Sequence, residues 1–138
     1  MNMIELQEKA EAIAIEEAKA LIETDTTEAE GINEAFWGIS PNRLREIIED
    51  LGLIYLDIRD SNGWQWDYWE HFISQDKKYA YTLSAEGYYG GLGLNKMPTE
   101  GDEGKYLIDM FIESNYDARD KDEDEYLNEF IAKEIRRK

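Results

Sequence analysis

The fold is decided by residues 53–94, LIYLDIRDSNGWQWDYWEHFISQDKKYAYTLSAEGYYGGLGL. Apolar and aromatic side chains recur there at every second position, as in strands that bury one face. Asn62-Gly63 is a strong two-residue hairpin signal, and further turns are indicated near 75–77 and at Glu86-Gly87. The pattern therefore predicts an antiparallel meander of three or four strands over about 53–94.

Helical periodicity precedes this meander. The first segment has an apolar stripe at three- and four-residue spacing, formed by Leu6, Ala10, Ile13, Ala14, Ala18, Leu21 and Ile22. Ser40-Pro41 supplies an N-cap followed by proline at the first helical position, and Gly52 supplies a stop. These signals predict a helix over 41–51. The capping-box spacing of Thr27 and Glu30 suggests another short helix there.

Two further helices are predicted after the meander. Residues 105–114 are almost continuously apolar, which fits either a helix or a strand, and their composition favours the helix. Residues 122–136 have acids in the first turn and bases at the end, as the helix dipole favours. The polar segment 97–104 is predicted to be a loop. The chain is thus expected to form one α+β domain, 1–138, with the sheet covered by helices from both ends.

Residues 36–53, FWGISPNRLREIIEDLGL, resemble the turn and second helix of helix-turn-helix domains. That resemblance implies a winged-helix-like arrangement over 28–73, in which Asn42, Arg43 and Arg45 would face DNA. The same helix carries Glu46, Glu49 and Asp50, whereas a helix that reads DNA is usually surrounded by bases.

Charge is distributed unevenly along the chain, whose formal net charge is −17. Residues 1–30 carry nine acids and two bases, and residues 97–138 carry thirteen acids and seven bases. Residues 61–96 are nearly neutral and rich in aromatic side chains. Such a surface repels phosphate backbones and anionic membranes, so direct nucleic-acid or membrane binding is not expected. A basic partner would be attracted to it.

The sequence has no pattern that predicts a cofactor, a metal site or catalysis. Asp120, Asp122 and Asp124 alternate as in a calcium loop, but the glycine and the glutamate that such a loop requires are missing. The single histidine, His71, excludes a zinc site built from histidines. With no cysteine and no signal peptide, the expected location is the cytoplasm. The chain is not expected to be an enzyme.

The predicted contacts with a partner are mainly acidic. They are Asp120, Asp122, Glu123, Asp124 and Glu125, then Glu100, Asp102 and Glu103 in the predicted loop, then the first helix. Trp69 is predicted to lie on the sheet face opposite Trp64 and Trp66, where an exposed tryptophan would anchor a partner. The aromatic face could instead be core or a small-ligand site.

Carboxylates spaced along helices can imitate a row of phosphates and pair with a partner's Lys and Arg. In general character the chain resembles two classes of small acidic proteins: phage anti-defence proteins that act as DNA mimics, such as anti-CRISPR or antirestriction proteins, and immunity proteins of nuclease toxins. The leading hypothesis is therefore an inhibitor that occupies the basic, nucleic-acid-binding surface of an enzyme. A winged-helix DNA-binding regulator is the alternative.

Overall fold

A computed structural model describes residues 2–32, 36, 38–60, 68–86, 91–115 and 121–137. Within these residues the chain forms four helices and five strands. In chain order they are α1 (Met3–Glu23), β1 (Glu30–Ile32), α2 (Pro41–Asp50), β2 (Ile54–Asp60), β3 (Tyr68–Ile73), β4 (Tyr79–Glu86), β5 (Gly91–Pro98), α3 (Asp102–Glu113) and α4 (Glu123–Arg137).

The strands form one antiparallel sheet in the order β1-β5-β4-β3-β2. The predicted meander is confirmed as β2 to β5, although β5 continues beyond Leu94 to Pro98. The Asn62-Gly63 turn lies outside the described residues. β1 was not predicted: the segment from Thr27 to Glu30, which suggested a helix, leads instead into this strand, whose Glu30 pairs with Lys96.

Both faces of the sheet are buried, because alternate residues of each strand meet different helices. Phe72, Tyr81 and Leu83 pack with α1 and α2. Ile73 and Ala80, their neighbours in the strands, pack with α3 and α4. The predicted α+β class, with helices from both ends of the chain covering the sheet, is confirmed.

Local sequence signals fix the ends of α2. The Ser40 hydroxyl accepts a hydrogen bond from the Arg43 N–H at 3.3 Å, and Pro41 occupies the first helical position. At the other end Gly52 adopts a φ of 103°, and the N–H groups of Gly52 and Leu53 donate to the carbonyls of Glu49 and Ile48. This is a Schellman motif, which favours glycine because L side chains rarely adopt that φ.

The described residues that precede α2, 28–32, 36 and 38–40, differ from the helix-turn-helix pattern. β1 occupies the place where such a domain has its first helix, and β2 and β3, which would form the wing, belong to the five-stranded sheet. The N-terminal half of α1 also differs from expectation, because Leu6 and Ile13 of its predicted apolar stripe are exposed.

Lys96 is fully buried beneath the C-terminal end of α1. Its Nζ donates to the Leu21 carbonyl at 2.9 Å, to the Ile22 carbonyl at 3.3 Å and to the Thr24 carbonyl. The ammonium also lies 4.1 Å from the centroid of the Tyr79 ring. Burial lowers the pKa of Lys96, while the carboxylates of Glu30 and Asp25 act in the opposite direction. The last carbonyls of a helix have no partner within it, and Lys96 supplies one from the sheet.

Replacing Lys96 with methionine should destabilise the protein by about 2–4 kcal/mol, because buried carbonyls lose their donor. Urea unfolding followed by tryptophan fluorescence measures this. The matched control is Lys133→Met, which changes an exposed lysine of α4 and should leave the free energy of unfolding within about 0.5 kcal/mol of the wild type. If both variants were equally stable, the capping role of Lys96 would be refuted.

Candidate partner-binding surface

Six segments of the chain meet at one end of the sheet. They are the end of α1 with the residues that follow it, the β3–β4 turn at 74–78, the β5–α3 turn at 99–101, residues 51–53 after α2, α3 and the beginning of α4. The first two are joined by Tyr79, whose hydroxyl donates to Asp25 and accepts from the Thr26 N–H at 2.9 Å. These hydrogen bonds, between residues distant in sequence, thus hold the first two segments together.

The β3–β4 turn is organised by Asp76. Its Oδ1 accepts hydrogen bonds from the Ser74 hydroxyl at 2.7 Å and the Lys78 N–H at 3.0 Å. Lys77 adopts a φ of 64°, in the left-handed region, and this completes the reversal. Partial burial acts to raise the pKa of Asp76, but the hydrogen bonds from Lys78 and Ser74 outweigh it and lower the pKa.

The β5–α3 turn is attached to the β3–β4 turn through Thr99. Its hydroxyl donates to the Lys77 carbonyl at 2.6 Å, and its N–H donates to the Lys78 carbonyl at 2.9 Å. Gly104, in the first turn of α3, is buried against Pro98, where an added Cβ would collide with the Pro98 carbonyl. The two turns are therefore packed closely beside the N-terminus of α3.

Two adjoining depressions lie at this end, with volumes of about 460 and 820 Å³. They share Asp76, Lys78 and Tyr79 in their linings. The acidic and basic residues that line them are seven carboxylates, Glu23, Asp25, Asp76, Glu100, Asp109, Glu123 and Asp124, and three lysines, Lys77, Lys78 and Lys105. These ten residues are called the acidic end below.

The structure brings together only some of the predicted contact residues. Glu100, Glu123 and Asp124 line the larger depression, although Glu100 belongs to the β5–α3 turn and the other two to α4. The remaining predicted acids in the described residues are exposed but do not line it; they are Asp102, Glu103, Asp122 and Glu125. Asp120 lies outside the described residues.

The prediction of a loop over 97–104 is wrong at Asp102 and Glu103, which form the first turn of α3. Their charge there is favourable to the helix dipole. Asp122 precedes α4, and its carboxylate accepts a long hydrogen bond of 3.4 Å from the Glu125 N–H. Part of the predicted acidic run therefore has a local structural role at the start of α4.

Trp69 is separated from the acidic end. It is half-buried on β3, paired with Ser84, and lies three positions before Phe72, on the opposite face of the strand. Ile73, which adjoins the turn, is four positions further along the strand, a distance of about 13 Å. Trp64 and Trp66 lie outside the described residues. Trp69 therefore does not share a surface with Glu100 and Glu123.

Within the described residues, five carboxylates of the acidic end accept no hydrogen bond and form no ion pair: Glu23, Glu100, Asp109, Glu123 and Asp124. Asp25 and Asp76 are the two that are engaged, by Tyr79 and by the turn. An exposed carboxylate without an intramolecular partner is available to a cation from another molecule.

The arginines of α2 are engaged within the chain. Arg43 Nε lies 2.6 Å from a Glu11 carboxylate oxygen and joins α2 to α1, and it also pairs with Glu46. Arg45 lies 3.2 Å from Glu70, whose side chain is only 14% exposed. Burial raises the pKa of Glu70, and Arg45 opposes this shift. The two arginines that a DNA-reading helix would present therefore neutralise carboxylates of this chain.

His71 is buried in β3, with its Nδ1 3.1 Å from the Thr82 hydroxyl. No group of three or more His, Asp or Glu side chains in the described part of the chain is arranged to hold a metal ion. Among the same residues, no helix has the length and apolar character needed to cross a membrane.

No protein-family model, curated protein or solved structure matches this chain at a significant level.

Asp76→Ala should destabilise the protein by about 1 kcal/mol at neutral pH, because the turn loses its side-chain acceptor. Since the pKa of Asp76 is lowered in the folded protein, its contribution is present above the ordinary aspartate pKa of about 3.9 and is lost as the pH falls through the folded value. Denaturant unfolding of both proteins between about pH 7 and 3 tests this: the stability difference should narrow with acid. A difference independent of pH would contradict the role of the ionised carboxylate.

Proposed function

We propose that this protein is an acidic inhibitor whose acidic end occupies the basic, nucleic-acid-binding surface of an enzyme. The observation that carries the proposal is the convergence of seven carboxylates from separate segments on adjoining depressions, with three lysines among them. Its action would resemble that of DNA-mimicking anti-defence proteins directed against CRISPR or restriction enzymes. An immunity protein that neutralises a nuclease toxin would use the same chemistry.

Electrostatics favours this kind of partner over nucleic acid or an anionic membrane. A net charge of −17 accelerates encounter with a basic protein and slows encounter with phosphates. At close range, a partner's Lys and Arg would form charge-assisted hydrogen bonds with Glu100, Glu123 and Asp124. Because none of these carboxylates forms an ion pair within the described residues, binding requires no internal ion pair to break.

The alternative functions receive less support from the geometry. A DNA-binding regulator would need Arg43 and Arg45 free to meet phosphates, and both pair with carboxylates of this chain. Trp69 and His71, which an enzyme or small-ligand module was expected to use, do not line the depressions of the acidic end. We therefore propose action by binding, without cofactor or catalysis, and in the cytoplasm.

The test is competition for DNA. Fluorescent duplex DNA is bound to a restriction nuclease, to a guide-loaded CRISPR effector or to a nuclease-toxin domain, and this protein is added at increasing concentration. We expect displacement from at least one target, with a half-inhibitory concentration that rises at high salt as charges are screened. The triple variant Glu100→Gln, Glu123→Gln, Asp124→Asn should raise that concentration at least about tenfold.

The control variant is Glu46→Gln, Asp50→Asn, Glu113→Gln. It removes the same number of charges from exposed positions of α2 and α3 that do not line the acidic end, and it should change inhibition less than about threefold. Equal losses in both triple variants would show that overall charge, rather than this surface, drives binding. The proposal would be overturned if the protein displaced DNA from none of the targets at low salt, or if displacement did not depend on salt.

A further inference from the structure

The N-terminal half of α1 leaves large apolar side chains in solvent. Of the seven exposed large hydrophobic residues in the described structure, five belong to α1: Met3, Ile4, Leu6, Ile13 and Ile15. Met3 is 85% exposed and Leu6 is 53% exposed. The fully buried residues of the helix, Ala14, Ala18 and Leu21, all lie in its C-terminal half. An apolar helix surface of this kind is typical of a site for another molecule.

The exposed residues follow a regular spacing. Met3, Leu6, Ala10 and Ile13 are separated by three, four and three residues, so their side chains form one stripe along the helix. Leu6 and Ile13 lie to one side of the buried residues, half-buried Ala10 is where the two sets meet, and Met3 continues the line of buried Leu21 toward the N-terminus. Ile4 and Ile15 lie on the opposite flank of the buried stripe. Met3, Leu6, Ala10 and Ile13 are called the α1 stripe below.

A second copy of this chain does not fit the α1 stripe. The next position in the same spacing is Glu17, and residues 3–17 carry five acids, Glu5, Glu8, Glu11, Glu16 and Glu17, against a single base, Lys9. Two copies would bring these acids together, in addition to the repulsion between two bodies of charge −17. Charge complementarity instead requires an apolar face bordered by Lys and Arg.

We propose that the α1 stripe docks an amphipathic helix of a partner protein, with apolar residues at heptad spacing and basic residues on both borders. This inference goes beyond the function proposed above, since it assigns a second surface that acts by burying apolar area. The 21 residues of α1 span about 30 Å, so its N-terminus lies far from the acidic end, which adjoins its C-terminus. The two surfaces can be tested separately.

The probe is a labelled synthetic helix of about three heptads, with leucines at three- and four-residue spacing and lysines on both borders. Its affinity is measured by fluorescence anisotropy at roughly 0.15 M and 0.5 M salt. We expect Leu6→Gln, Ile13→Gln to weaken binding at least about tenfold at both salt concentrations. Glutamine keeps the net charge and the helix propensity, so circular dichroism should show unchanged folding.

Two controls separate the α1 stripe from nonspecific attraction. The variant Ile15→Gln, Ile135→Gln changes isoleucines of comparable exposure, 38% and 42%, outside the stripe, and should bind the probe as the wild type does. A peptide of the same composition with the leucines scrambled should bind at least about tenfold more weakly. The acidic-end triple variant should retain binding to the probe, so failure of one proposal does not imply failure of the other.

Three outcomes would overturn this inference. Equal affinities for the probe and the scrambled peptide would show that binding arises from general electrostatic attraction alone. Equal affinities for the two double variants would remove the α1 stripe as the contact. Sedimentation showing a dimer that Leu6→Gln, Ile13→Gln dissociates would assign the stripe to a second copy of this chain.

Discussion

The contact between the Lys96 ammonium and the last carbonyls of α1 is the interaction on which the rest of the structure depends. α1 has no basic residue in its last turn, so its own sequence leaves the negative end of the helix dipole without a compensating charge. Lys96 provides that charge from the middle of the sheet, where the Tyr79 and Tyr81 rings surround it. The position of α1 over the sheet is thereby fixed at its C-terminal end.

This contact also explains how an acidic surface forms at one end. The segment after α1 continues from the Lys96 contact to Asp25, which the Tyr79 hydroxyl holds, and then to β1, where Glu30 pairs with Lys96 in the sheet. One cation is therefore buried beneath a region whose exposed groups are mainly carboxylates. Lys96 compensates the partial negative charge of the last α1 carbonyls inside the protein. Glu23, Glu100 and Glu123 remain at the surface without a partner in the described structure.

The sequence predicts the elements whose signals are local. Ser40, Pro41 and Gly52 determine α2 through capping chemistry, and the period of two across 53–94 determines the meander. β1 could not be predicted from the sequence, because three residues, including Gly31, are too few to show alternation. Their strand conformation depends on pairing with β5. The prediction of a loop over 97–104 is wrong at the start of α3, because glycine usually indicates a loop. Gly104 is instead required for close packing against Pro98, which composition alone cannot reveal.

The acidic end was partly predictable and partly not. Acidic runs at 100–103 and 122–125 were evident, but their meeting with Glu23 and Asp109 depends on long-range packing. Lys96 did leave a signal: Leu92, Leu94 and Lys96 alternate, and this places the lysine on the face that the two leucines bury. The predicted meander nevertheless ends at about Leu94, two residues before Lys96.

The two proposed surfaces would make different physical contributions to one complex. Carboxylates at the acidic end act over roughly a Debye length, about 8 Å at physiological salt, and therefore mainly accelerate encounter and orient the partner. The α1 stripe acts only on contact, and each apolar side chain that it buries slows dissociation. Because Ile13, the residue of the α1 stripe nearest the acidic end, lies about 15 Å from Glu23 along α1, a partner that used both surfaces would need a basic cleft and a separate amphipathic helix. A partner with the cleft alone would bind rapidly but release rapidly as well, and its affinity would depend strongly on salt.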